Sequence, residues 1–304
     1  MLPKSIRSAA DLVTSDQSTI DGFVAQAIEK GRLARPFVEQ GRQFREALNK
    51  ATDVHSLLMN PVLRDHLLAA AGLSEKAQNS LSHEQENRAL DRILGMLAAG
   101  GGDQWRDELL YRFLLTRGDS LGGAMRNVTG AVAGRKLVAS IMRALNARQI
   151  KPELTKSTAG KVQLLRWENR LLAFDKTPRF IGNNIDVILL DVTGTTASFR
   201  ELLESPARFL ACGELKGGID PAGADEHWKT ADSALGRIRE VFREQDSEKS
   251  LAGKKVQMFI AVAAVEEVMA REIFEQLQSG KLSSAANLTV PAQLQELAAW
   301  LVDL

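Results

Sequence analysis

Residues Gly213 to Trp228 read GELKGGIDPAGADEHW, and in them Glu214 and Lys216 stand two positions apart at the end of an apolar run. Residues at i and i+2 of a β-strand share a face, so carboxylate and ammonium would project side by side. A second acid, Asp186, opens the apolar run IDVILLD upstream. Phosphodiester hydrolysis needs an in-line water, neutralisation of charge on the phosphate and help for the leaving oxygen. Asp186 and Glu214, on adjacent buried strands, could share a Mg²⁺ ion, with the backbone carbonyl of Leu215 as a third oxygen ligand. Lys216 would orient or help deprotonate the attacking water while countering the charge of the scissile phosphate. An isolated ExK triplet usually marks a surface ion pair. Its apolar lead-in sets this one apart, because a charged pair at the end of a buried strand needs a reason.

Other groups compete for these roles or stand near them. Asp191 lies five residues after Asp186 and, by the period of two, on the opposite face of a regular strand, which ranks it second. His227 is the histidine near the cluster and could act as general base near neutral pH, or could cap or pack the helix starting at Asp225. His55, His66 and His83 fall in the helical N-terminal part and read as structural or exposed. Cys212, the single cysteine, reads as a small buried residue. Trp228 reads as core.

These groups must be positioned by elements legible in the pattern. Apolar positions three and four apart predict helices through the first hundred residues, with Pro36 and Pro61 as breaks or first-turn positions and a fresh N-cap at Ser74. AAGGGD at Ala98–Asp103 is the candidate hinge. Trp105 to Thr116 reads as an amphipathic helix leading into RGDSLGGAMRN at Arg117 to Asn127, which is expected to be a loop. There the paired glycines Gly122 and Gly123 would let backbone N–H groups approach a phosphate while Arg117, Ser120, Arg126 and Asn127 reach the same groove. A tight turn with exposed arginines is the plainer reading. Lys136 to Ala147 resumes helical spacing. KVQLLRW, RLLAF, IDVILLDV, RFLACGELK and Lys255 to Ala264 read as strands, with helices from Asp225 to about Gln245 and from Glu266 to Gln278 before a C-terminal tail. The expected fold is α/β (α+β), a mixed central sheet flanked by helices. Residues 1–100 form a helical region and 101–304 a DNA-binding and catalytic domain.

At 304 residues and 44% hydrophobic content the chain can bury a real core. The net charge of +1 conceals an asymmetry: Arg112 to Arg170 carries +9, leaving −8 for the remainder. Such a stretch can be ordinary solvated helix faces, or can track a phosphate backbone by releasing its counterions; beside a nuclease-like site the second reading is favoured. One cysteine rules out an intrachain disulfide framework and fits the cytoplasm. The N-terminus lacks a signal-peptide core and no apolar run is long enough to span a membrane.

At Asp186 in NNIDVILLD, Glu214 and Lys216 in GELKGG, and Asp220, Pro221 and His227 in the run that follows, the chain resembles type II restriction endonucleases of the PD-(D/E)XK superfamily, within it the AvaI/BsoBI-like group. RGDSLGGAMRN is similar to a glycine-rich segment of several restriction enzyme families. One departure is Ile185, where the superfamily pattern has proline. The resemblance implies Mg²⁺-dependent cleavage of double-stranded DNA by a homodimer, with Asp186, Glu214 and Lys216 as catalytic core, His227 as assisting base and a cognate DNA methyltransferase as functional associate. It also implies that Asp220 contacts a base edge, since an aspartate can accept from cytosine N4. Group members read C/G-rich palindromes such as CYCGRG, and related enzymes CCCGGG. The helical N-terminal region would embrace the duplex or pack against the partner. Alternatives are a structure-selective repair nuclease or resolvase, a non-catalytic DNA-binding protein on the same fold, and an α/β enzyme with a small substrate. The last leaves the basic stretch without a purpose.

Overall fold

The computed structural model describes residues 2–73, 77, 79–99, 104–247 and 255–304. In chain order its elements are α1 (Asp16–Lys50), α2 (Val54–Leu58), α3 (Arg64–Ala70), α4 (His83–Ala99), α5 (Trp105–Ala147), β1 (Glu153–Lys156), β2 (Val162–Trp167), β3 (Arg170–Lys176), β4 (Ile185–Asp191), α6 (Phe199–Leu203), β5 (Phe209–Lys216), α7 (Ala224–Ser247), β6 (Gln257–Val262), α8 (Glu267–Gln278), β7 (Ser284–Asn287) and α9 (Pro291–Asp303). The chain divides into two compact units, Met1–Val24 with Val128–Leu304, and Ala25–Asn127.

The larger unit is built on one seven-stranded sheet whose spatial order is the chain order. β1 to β5 run antiparallel, while β5, β6 and β7 are mutually parallel. Parallel neighbours need crossover connections, and α7 and α8 supply them. Period-two alternation gives each central strand two buried faces. Ile188, Leu190 and Cys212 join Trp228, Ala231, Leu235, Ile238 and Phe242, spaced three and four apart along α7. Val187, Leu189 and Ala211 join Ala133, Leu137, Ile141 and Leu145 of α5 and Leu294, Leu297, Ala298 and Leu301 of α9. The sheet is therefore mixed and covered by helices on both faces. The segment before α1 is tied to it: Thr14 N–H donates to the Val265 carbonyl at 2.9 Å, and Asn287 Nδ2 donates to the Leu12 carbonyl at 2.8 Å.

The smaller unit is helical, as the spacing predicts. Phe44, Leu48, Leu57, Leu67, Leu90, Leu94, Leu109 and Phe113 form its core. His66 stacks on Phe113 with ring centroids 5.4 Å apart; burial, with the Arg117 charge nearby, holds its pKa below the usual imidazole range. That is a structural histidine.

Several local expectations are corrected. RGDSLGGAMRN is not a loop: α5 runs unbroken through it. Helix propensity is a weak prior, and a mid-helix glycine costs only about 1 kcal/mol against alanine, less than the buried stripes at either end of α5 return. Pro36 marks no break but sits inside α1, whereas Pro61 does open a 3₁₀ turn capped by Asn60. The expected C-terminal tail contains β7 and α9, and β1 is an edge strand with no apolar alternation. Ala98 and Ala99 close α4; residues 100–103 of the expected hinge, and the expected N-cap at Ser74, lie outside the described residues.

Candidate active site

The antiparallel pairing of β4 with β5 places Val187 opposite Gly213 and Ile188 opposite Cys212. One further step along that register puts Asp186 opposite Glu214. Both residues, and Lys216 two positions on, belong to the face packed by α7, where their apolar neighbours end and the polar groups begin. Three side chains separated in the sequence thus meet at the mouth of one sheet face.

Their contacts are specific. Lys216 Nζ lies 2.9 Å from Glu214 Oε2 and 3.9 Å from Asp186 Oδ2. Asp186 Oδ2 also accepts a 2.8 Å hydrogen bond from the Leu215 N–H. Glu214 is only 4% exposed. Burial first, and then the neighbouring Asp186 charge, push its pKa up to about 7, with Lys216 pulling the other way. Two carboxylates facing each other across adjoining strands, one of them desolvated, form an arrangement that a hard cation would relieve. Among the described residues no group of three or more His, Cys, Asp or Glu side chains is placed to hold a metal. A cation would therefore take two carboxylates and complete its shell with backbone carbonyl and water, a set suited to Mg²⁺.

The remaining expected residues are distributed as follows. Asp191 ends β4 at the far side from Asp186, a rise of about 16 Å for five strand residues. There it pairs with Arg170 at 3.5 Å and accepts from Thr193 N–H and Oγ1, so it takes no part in the cluster. His227 is exposed on the first turn of α7, its Nε2 beside the backbone of Gly218 and Gly223, where β-carbons would stand 3.3 Å away. Among the described residues no hydrogen bond or ion pair joins its ring to Asp186, Glu214 or Lys216. Asp220 is exposed and caps the Pro221–Gly223 turn, Oδ1 accepting from the Ala222 N–H at 3.0 Å. Cys212 is fully buried and burial pushes its thiol pKa up, away from nucleophilic chemistry. Trp228 is core, its indole N–H donated to Glu272.

The glycine-rich stretch offers phosphate no free backbone N–H groups, because helix formation uses them. Ser120 Oγ donates back to the Thr116 carbonyl. Arg117 lies over the Phe37 and Phe113 rings at 5.6 and 5.5 Å, a packing role in the helical unit. Gly122, Gly123 and the Arg126 and Asn127 backbones are ordinary helical positions. Within the basic stretch, Arg112, Arg148, Lys161 and Arg170 pair with Glu108, Asp303, Asp175 and Asp191. Sequence reasoning missed the two glycines that flank the triplet, Gly213 and Gly217, although both stand in the motif itself. No helix among the described residues is long and apolar enough to cross a membrane.

Known proteins match nearly all of this chain. The family model for restriction endonuclease BsobI matches residues 3–304. The type II restriction enzymes AvaI of Nostoc sp. (strain PCC 7120) and of Anabaena variabilis are each 39% identical over 317 residues, covering 98% of this chain and 98% of theirs. The type II restriction enzyme BsoBI of Geobacillus stearothermophilus is 36% identical over 320 residues, covering 98% of this chain and 97% of its own. With Asp186, Glu214 and Lys216 gathered at one end of the sheet and a match running almost from end to end, this chain belongs to the BsobI family of restriction endonucleases.

Proposed function

We propose that this protein is a type II restriction endonuclease that hydrolyses phosphodiester bonds in double-stranded DNA with Mg²⁺, at a C/G-rich palindrome of the CYCGRG or CCCGGG type. The observation that carries the reading is the convergence of Asp186, Glu214 and Lys216, with Lys216 Nζ within ion-pair distance of both carboxylates. Asp186, Glu214 and the Leu215 carbonyl would hold the cation, which when bound supplies positive charge to the scissile phosphate. The Lys216 ammonium adds a second positive charge and donates a hydrogen bond that orients the attacking water. His227 Nε2 is the proposed acceptor of the water's proton, reaching the site once DNA is seated.

Recognition is assigned more broadly. The exposed Asp220 keeps one carboxylate oxygen for a cytosine N4 donor. Ser120, Gly122, Gly123, Arg126 and Asn127 would meet DNA as one stretch of the α5 surface, and Arg117 would support that stretch from beneath. A palindrome calls for two equivalent half-site readers, so the acting species is a homodimer. We assign residues 1–100 to embracing the duplex or contacting the partner subunit, and 101–304 to DNA binding and catalysis. Such an enzyme works in the cytoplasm alongside a methyltransferase that protects the same site.

Digestion of a sequenced plasmid or phage genome with Mg²⁺ or with EDTA, followed by sequencing of every fragment end, tests the whole reading. Discrete ends that share one palindrome and need the metal are expected. Intact DNA under Mg²⁺, or a smear without discrete ends, would defeat it; a preference for branched over intact duplex would indicate a repair nuclease instead.

A further inference from the structure

The triplet Glu214-Leu215-Lys216 is flanked by two glycines whose surroundings leave no room for a side chain. A β-carbon on Gly213 would lie 2.2 Å from the Phe259 ring, and one on Gly217 would lie 2.3 Å from the Thr129 carbonyl oxygen and 3.2 Å from Ala133 Cβ. The obstacles differ in kind. A ring is a side chain that can turn, whereas Thr129 offers the backbone of α5, locked by the burial of Ala133, Leu137 and Ile141 against the sheet. The chain leaving β5 is also held elsewhere. The Lys216 carbonyl accepts from the Ala263 N–H at 2.8 Å, and the buried Ile219 lies against Gly22 of α1, where a β-carbon would stand 2.4 Å from Ile219 Cγ1. Lys216 is thus followed immediately by a segment pressed between β6, α5 and α1.

We infer that Gly217 is a positioning residue for DNA cleavage: its missing side chain lets the chain leaving Lys216 rest on the Thr129 turn of α5, and that seat holds the Lys216 ammonium beside Glu214 and Asp186. The inference rests on the nuclease reading above. Relieving a 2.3 Å contact to ordinary van der Waals distance requires the segment to move by about 1 Å, and a displacement of that size in a catalytic group costs on the order of 100-fold in rate. DNA affinity, assigned above to many contacts besides Lys216, should be left nearly unchanged. Position 217 acts through position 216, so the two must not be independent.

The experiment is a double-mutant cycle under single-turnover conditions, with enzyme in excess over a plasmid carrying one site, Mg²⁺ present, and DNA affinity read separately by gel shift in EDTA. The proteins are wild type, Gly217→Ala, Lys216→Ala, the pair combined, and Gly134→Ala, an α5 glycine whose β-carbon would meet nothing within 4 Å. We expect Gly217→Ala to bind within about threefold of wild type while cleaving about 100-fold more slowly. Its effect should vanish in the Lys216→Ala background, and Gly134→Ala should cleave at the wild-type rate. Gly217→Ala cleaving at close to the wild-type rate, or slowing the Lys216→Ala protein by the same factor, overturns the inference while leaving the nuclease reading intact. A wild-type protein that leaves DNA uncut removes both. If Gly217→Ala does not fold, Ala133→Val raises the same α5 surface under an unchanged Gly217. Lys216-dependent slowing supports the inference, and a wild-type rate refutes it.

Discussion

Replacing Glu214 with glutamine should stabilise the metal-free protein at alkaline pH, which is an unusual outcome for a change at a buried position of the proposed active site. Glu214 is 4% exposed and faces Asp186 across the β4–β5 pair. Its pKa rises from the ordinary 4.5 to about 7. In the unfolded chain the same carboxyl ionises near 4.5, so between pH 4.5 and 7 the unfolded state has lost a proton that the folded state keeps. Folding stability therefore falls as pH rises through that window and levels off above 7. At 1.36 kcal/mol for each unit, the full cost is about 3 kcal/mol. Glutamine keeps the shape and removes the charge, although Lys216 then loses its 2.9 Å partner, so the net gain at pH 8 is about 1–3 kcal/mol, a rise of a few degrees in Tm. The assay is thermal or urea unfolding of both proteins in EDTA from pH 5 to 8.5. The two should be closest near pH 5, diverge as pH rises towards 7 and run parallel above it, with glutamine the more stable. Added Mg²⁺ at pH 8 should raise the wild type and not the variant. A stability difference that does not change between pH 5 and 8, or one that favours the wild type as pH rises, refutes the reasoning.

Three further outcomes are expected. Lys216→Ala should lower the single-turnover cleavage rate by about 10³-fold, through lost charge on the phosphate and a misdirected water, with DNA affinity within a few-fold in a gel shift. His227→Ala should cost about 10²-fold in single-turnover rate with DNA affinity nearly unchanged, whereas a purely packing role would lower Tm and leave the rate unaltered. Asp220→Asn should weaken discrimination at one base pair of the site by about 1–3 kcal/mol, read as cleavage of sites altered at that position alone.

The central strands, α7 and the placing of Glu214 and Lys216 at a strand end were legible because burial imprints a short-range period on the chain. IDVILLD and FLACGELK announce strands buried on both faces, and period two places Glu214 and Lys216 on one face while excluding Asp191. Trp228, Ala231, Leu235, Ile238 and Phe242 announce one stripe of α7. The edges of the sheet were not legible. ELTK in β1 is exposed along its length, and SAAN in β7 is built of small residues without β-branched side chains. Nor was the middle of α5, where Gly118, Gly122 and Gly123 argue locally for a loop and the buried stripes at either end of the same helix decide otherwise.

The sequence by itself determined which strands are buried and that Glu214 and Lys216 share one strand face, because residue type and local period are properties of a few neighbouring positions. It did not determine that Asp186 stands opposite Glu214. That follows from the antiparallel register of β4 and β5, where a shift of one residue would turn the whole set of side chains to the other face. Nor did it show that the chain after Lys216 lies on the Thr129 carbonyl, a contact between segments far apart in the chain. Pairing register and the close approach of backbones are set by the packing of the entire core, and only the tertiary structure decides them.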